Sequence, residues 1–86
     1  MAKIIMYKTQ TCPFCVRAEA LFKQKGISDI QKIDVTGDDA LRAEMMEKAG
    51  GRRTVPQIFI NGKHVGGCDD LYALNDAGKL DAMLAG

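Results

Sequence analysis

Cys12 and Cys15 enclose Pro13 and Phe14, and these two thiols are the residues in the sequence best suited to covalent chemistry. A Cys-x-x-Cys pair can exchange electrons with other thiols and disulfides, or it can form half of a metal site. Proline helps to decide between these. Its missing N–H costs nothing at the first position of a helix, so Pro13 marks a helix start and makes Cys12 the N-cap. A serine or aspartate oxygen usually sits there and accepts backbone N–H bonds. Here a sulfur takes that place, facing the N–H groups of Phe14 and Cys15. Those donors and the positive end of the helix dipole favour thiolate over thiol. Thiolate is the attacking species in disulfide exchange. Cys12 is therefore the expected nucleophile. Cys15, one turn on and facing inward, is the expected resolving thiol.

Three other readings compete. A bystander pair would not need proline at the helix start. A zinc site could recruit His64 and Cys68, but such ligands come as two compact clusters on turns. His64 is expected on a strand, as a solvated surface residue. A structural disulfide is out of place in a reducing cytosol.

The elements needed to hold the pair can be read from periodicity. Residues 3–7 are apolar and β-branched, a first strand. A helix is expected from Pro13 to Lys25, with Cys15, Ala18, Leu21 and Phe22 on one face and Gly26 as its stop. Ile30 to Val35 alternates as a second strand. A second helix follows Thr36-Gly37-Asp38-Asp39, with Leu41, Met45 and Ala49 inward. Gln57 to Ile60 and Lys63 to Val65 flank Asn61-Gly62, a strong hairpin signal. A third helix is expected from Cys68 to Asp76, with Leu71 and Leu74 inward. Leu80, Met83 and Leu84 suggest a further turn or two. The order is βαβαββα, an α/β class. Its first two strands should be parallel through a right-handed crossover, in a mixed sheet with helices on both faces.

Composition sets the outer bounds. The 86 residues fit one domain, spanning 1–86, and 47% are apolar. Twelve basic and 11 acidic residues nearly cancel, so no basic stripe points to nucleic acid. No stretch is long enough to span a membrane. The N-terminal apolar run is too short for a signal core. The chain reads as soluble and untargeted. Its three cysteines are too few, and odd in number, for a secreted disulfide scaffold.

Two further segments bear on the site. Thr54-Val55-Pro56-Gln57 precedes the third strand, and an X-Pro bond there can be cis or trans. A cis bond would leave the Val55 backbone free to pair with an extended peptide; a trans proline would simply begin the strand. Gly66-Gly67-Cys68-Asp69-Asp70-Leu71 enters a helix whose free N–H groups could bind a carboxylate. Asp69 and Asp70 could meet an ammonium, though the plainer reading is that they complement the helix dipole. Cys68 reads as a small, partly buried residue.

Taken together, Cys12-Pro13-Phe14-Cys15, Thr54-Val55-Pro56 and Gly66-Gly67-Cys68-Asp69-Asp70-Leu71 resemble the glutaredoxins, in that family's order and spacing. The chain is similar to the short bacterial dithiol members. The resemblance implies a thioredoxin-like fold around a central four-stranded sheet, a cis Pro56, and glutathione as co-substrate with no metal. It places glutathione against Cys12, Phe14, Thr54, Val55, Pro56 and Gln57, with its γ-glutamyl end at Cys68, Asp69 and Asp70. Phe14 stands where a tyrosine is common. Thr9 stands where a basic residue is common, so the neighbouring Lys8 is the candidate for the glycine carboxylate, with Gln57 or Arg53 sharing that role. The implied activity is reduction of protein disulfides and protein–glutathione mixed disulfides by a cytoplasmic monomer, with ribonucleotide reductase among candidate substrates. Two alternatives remain within the resemblance: iron–sulfur cluster binding by a dimer through Cys12 and glutathione, and a redoxin reduced by thioredoxin reductase.

Overall fold

A computed structural model describes residues 2–85. Its elements are β1 (Ile4–Lys8), α1 (Pro13–Gln24), β2 (Ile30–Asp34), α2 (Asp39–Lys48), β3 (Gln57–Ile60), β4 (Lys63–Gly66), α3 (Cys68–Asp76) and α4 (Leu80–Ala85). The strands form one sheet in the order β2-β1-β3-β4. β1 runs parallel to β2, with Ile4 opposite Ile30, and antiparallel to β3, with Ile4 opposite Ile60. β3 and β4 form the expected hairpin. Asn61 and Gly62 both take positive φ, 53° and 80°, the backbone that a two-residue turn between twisted strands requires.

Alternation along the central strands divides the core. Ile4, Met6, Ile58 and Ile60 face α1, α3 and α4, whose Ala18, Leu21, Phe22, Leu71, Leu80 and Leu84 complete one buried cluster. Tyr7 and Phe59 point to the other face, where Val35 and Met45 cover them. Helices therefore cover both faces, as the sheet pattern requires.

Four details differ from the sequence reading. Lys25 caps α1 rather than belonging to it. The Ile27 N–H reaches back to the Phe22 carbonyl at 2.9 Å, the six-to-one bond of a Schellman ending. β2 stops at Asp34: the Val35 N–H still bonds the Lys8 carbonyl of β1 at 2.8 Å, but the Val35 carbonyl turns away to accept the Asp38 N–H. The apolar residues of β2 are also shared between faces: Ile30 packs with the α1 side and Ile33 with the α2 side. Finally, Leu41 and Leu74 are only half-buried, whereas Met45 and Leu71 are sealed.

Candidate active site

α1 begins as its sequence demands. Cys12 is the N-cap in extended backbone, Pro13 follows at the first helical position, and the Cys15 N–H donates to Cys12 Sγ at 3.1 Å. The Cys15 N–H is shared between this sulfur and the Cys12 carbonyl, which it also meets at 3.1 Å. Of the two donors expected to face the sulfur, Phe14 and Cys15, the recorded bond comes from Cys15. Cys12 and Cys15 are joined as a disulfide with Cα atoms 5.2 Å apart. Cys12 is 9% exposed and Cys15 is 1% exposed. Cys12 is thus the less sealed residue of the pair.

Beside the pair lies a cleft of about 300 Å³, walled by Phe14, Arg52, Thr54–Pro56 and Gly67–Asp70. That is the small end of the range for ligand clefts. Phe14 forms one lip and is half-exposed. The Arg17 guanidinium lies 6.0 Å from the centre of the Phe14 ring and 5.6 Å from that of Tyr72. Tyr72 Oη donates to the Arg17 carbonyl at 3.0 Å, tying α3 to α1. The Val55–Pro56 peptide is cis. Among the described residues, the Val55 N–H and C=O have no backbone partner.

The far wall is the N-terminus of α3. Gly67 is its N-cap and has no side chain to cap with. Asp70 compensates by accepting the Gly67 N–H at 2.9 Å. The same Oδ2 accepts Arg52 Nη1 at 2.9 Å. The Gly67 N–H first, and Arg52 second, hold the Asp70 carboxyl below its usual range. Gly66 takes a φ of 119°, which side-chain-bearing residues rarely adopt, and a Cβ there would also crowd that carboxylate. Burial pushes the Cys68 thiol up, with Arg17 opposing and Asp69 adding to it. Cys68 is sealed more completely than its sequence suggests, at 4% exposed.

The structure brings Phe14, Thr54, Val55, Pro56, Cys68, Asp69 and Asp70 to one cleft, with Cys12 two residues before Phe14. Lys8 and Gln57 are not in its walls. Gln57 requires a correction. Its side chain is fully buried and donates to the Thr54 carbonyl and to Thr54 Oγ1. It has no donor left for a ligand carboxylate. His64 lies exposed on β4, as the sequence reading expects, and its Nε2 lies 2.8 Å from Gln57 Oε1. Arg52 was not anticipated. No spacing rule links it to Asp70, and the pair meets only because the β3–β4 hairpin returns the chain.

A cysteine pair at a helix N-terminus, joined as a disulfide and set beside a cleft at the end of a mixed sheet, defines a thiol–disulfide oxidoreductase of thioredoxin-like fold. The chain belongs to the glutaredoxin family, whose model matches residues 4–65. It is 53% identical over 85 residues to glutaredoxin of Pseudomonas aeruginosa, covering 99% of each chain. It is 51% identical over 84 residues to glutaredoxin 3 of Escherichia coli strain K12, covering 98% of this chain and 99% of that one. A buckwheat glutaredoxin solved in complex with glutathione superposes with a TM-score of 0.87 at 36% identity, over 98% of this chain and 77% of that one. No helix among the described residues is long and apolar enough to cross a membrane.

Proposed function

We propose that this glutaredoxin uses glutathione to reduce protein disulfides and protein–glutathione mixed disulfides. One observation carries the reading: the redox pair sits beside a cleft, entered at Phe14, whose free groups match an extended peptide with a zwitterionic end. The unpaired Val55 N–H and C=O suit a peptide backbone. The α3 N-terminus suits a carboxylate. The exposed Asp69 suits an ammonium. The glutathione complex of the buckwheat relative supports the same ligand.

In the reduced enzyme, Cys12 thiolate attacks one sulfur of a substrate disulfide. A Cys12–substrate disulfide forms and the other sulfur leaves as a thiolate. With a glutathionylated substrate, the attack falls on the glutathione sulfur and the protein thiol departs. A second glutathione then attacks that mixed disulfide, giving oxidised glutathione and restoring Cys12. With a protein disulfide, Cys15 thiolate attacks the Cys12 sulfur of the mixed disulfide instead, the substrate's second sulfur leaves as a thiolate, and the Cys12–Cys15 disulfide of this structure results. Two glutathione molecules return it to the dithiol. Each exchange breaks one S–S bond and forms one.

The test is a glutathione-coupled reductase assay on cysteine variants. Cys12→Ser should lose both activities. Cys15→Ser should keep deglutathionylation and lose reduction of protein disulfides. Cys68→Ser should retain both. Full activity in Cys12→Ser would falsify the mechanism. Turnover with thioredoxin reductase but not with glutathione would replace the reductant.

A further inference from the structure

Gln57 is the only buried polar side chain among the described residues, and its orientation can be deduced. One end of its amide lies 2.9 Å from the Thr54 carbonyl oxygen. A carbonyl can only accept, so the group facing it is the NH₂. That NH₂ also reaches Thr54 Oγ1 at 3.2 Å. The amide oxygen must then face the other way, toward His64 Nε2 at 2.8 Å. A buried amide oxygen needs a donor, so His64 Nε2 carries hydrogen. The polarity propagates toward the cleft. Thr54 Oγ1 is occupied as an acceptor, which leaves its own O–H free to donate. Thr54 lines the cleft.

We infer that His64, Gln57 and Thr54 form a one-way hydrogen-bond relay that sets the Thr54 hydroxyl as a donor to an acceptor oxygen of the bound peptide. His64 and Gln57 are positioning residues, acting on the ligand only through Thr54. The strand register supports the arrangement. His64 lies opposite Phe59, and its ring packs 5.0 Å from that of Phe59. The aromatic contact holds the imidazole at the distance the relay needs. Both the neutral Nε2–H tautomer and the imidazolium carry hydrogen at this nitrogen, so either species maintains the direction.

The inference rests on the glutathione reading of the cleft, and the experiment separates the two. A long-range proton–nitrogen NMR spectrum of the folded, ligand-free protein reports the tautomer without glutathione. The Nε2–H form is expected, and an Nδ1–H form overturns the relay. In the coupled assay, His64→Phe keeps a ring against Phe59 and removes the donor. It should raise KM for glutathione about three- to tenfold, the scale of one lost hydrogen bond, with kcat unchanged. His64→Gln restores a donor and should recover most of the loss. Thr54→Val should raise KM similarly. The double variant Thr54→Val with His64→Phe should be no worse than Thr54→Val alone, because both act through one hydroxyl. An unchanged KM in His64→Phe, or effects that multiply in the double variant, overturns the relay. Wild-type protein that turns over no glutathione would instead sink the proposed function, while the tautomer still decides the relay.

Discussion

Asp70 shows how one side chain can serve fold and site together. Its carboxylate caps α3 through the Gly67 N–H and holds Arg52 across the cleft. Both contacts favour the charged form, so its folded pKa lies below the unfolded value of about 3.9. The stability it contributes is therefore present above that value and is lost as pH falls through the lower, folded one. Asp70→Asn should be less stable than wild type at pH 7 by about 0.5–1 kcal/mol, a modest figure because the pair is half-exposed. The gap should close on acidification. Urea unfolding at stepped pH checks this, and a gap that stays constant into strong acid would refute it. At this scale the sequence was legible where a residue acts through its neighbours along the chain. Cys12 as N-cap and Cys15 as the sheltered thiol follow from Pro13 alone. Gln57 was misread because folding back of the hairpin brings His64 to it, and its bonds to Thr54 need the chain to turn on itself over three residues. A buried glutamine and a ligand-facing one look alike in sequence.

The helices differ in how they are held. α1 buries Cys15, Ala18, Leu21 and Phe22, whereas α2 fully buries only Met45. α2 owes its start to Asp38, which accepts the Leu41 N–H at 3.0 Å. Met45 is its main apolar anchor to Tyr7, Val35 and Phe59, and Tyr7 Oη also donates to Glu44 at 3.0 Å. Met45→Ala should cost about 2–5 kcal/mol in denaturant unfolding. The redox pair lies on the opposite face of the sheet, so the variant should keep wild-type kcat while folded. A cost below 1 kcal/mol would show that the cluster collapses around the gap. Element existence was readable because caps and turns are local: Pro13, Asp38 and Asn61-Gly62 each mark a boundary. The end of β2 was not, because Val35 suits a strand by type and is removed from it by a turn.

For the whole molecule, stability should follow sheet order rather than chain order. β1 has neighbours on both sides, β2 and β3, and β3 lies between β1 and β4. β2 and β4 are edges, and charged or polar residues such as Gln31, Lys32 and Lys63 stay exposed there. This is a common protection against edge pairing. Native-state hydrogen exchange should find the slowest amides in β1 and β3, with earlier opening at the edges. Slower exchange in β2 than in β1 would contradict this topology as the stability order.

Because the first strand is central, the order of synthesis is at odds with the order of assembly. Cys12 and Cys15 emerge early, but Ile4 must await Ile60, and the cleft needs both Thr54–Pro56 and the still later Gly67–Asp70. At roughly 5–20 residues per second, the interval is on the order of several seconds. During it the two thiols belong to an open chain, with no neighbouring cleft to select what they meet. Substrate choice therefore arrives only when the distant half of the chain folds against the first, although both reactive atoms were in place long before.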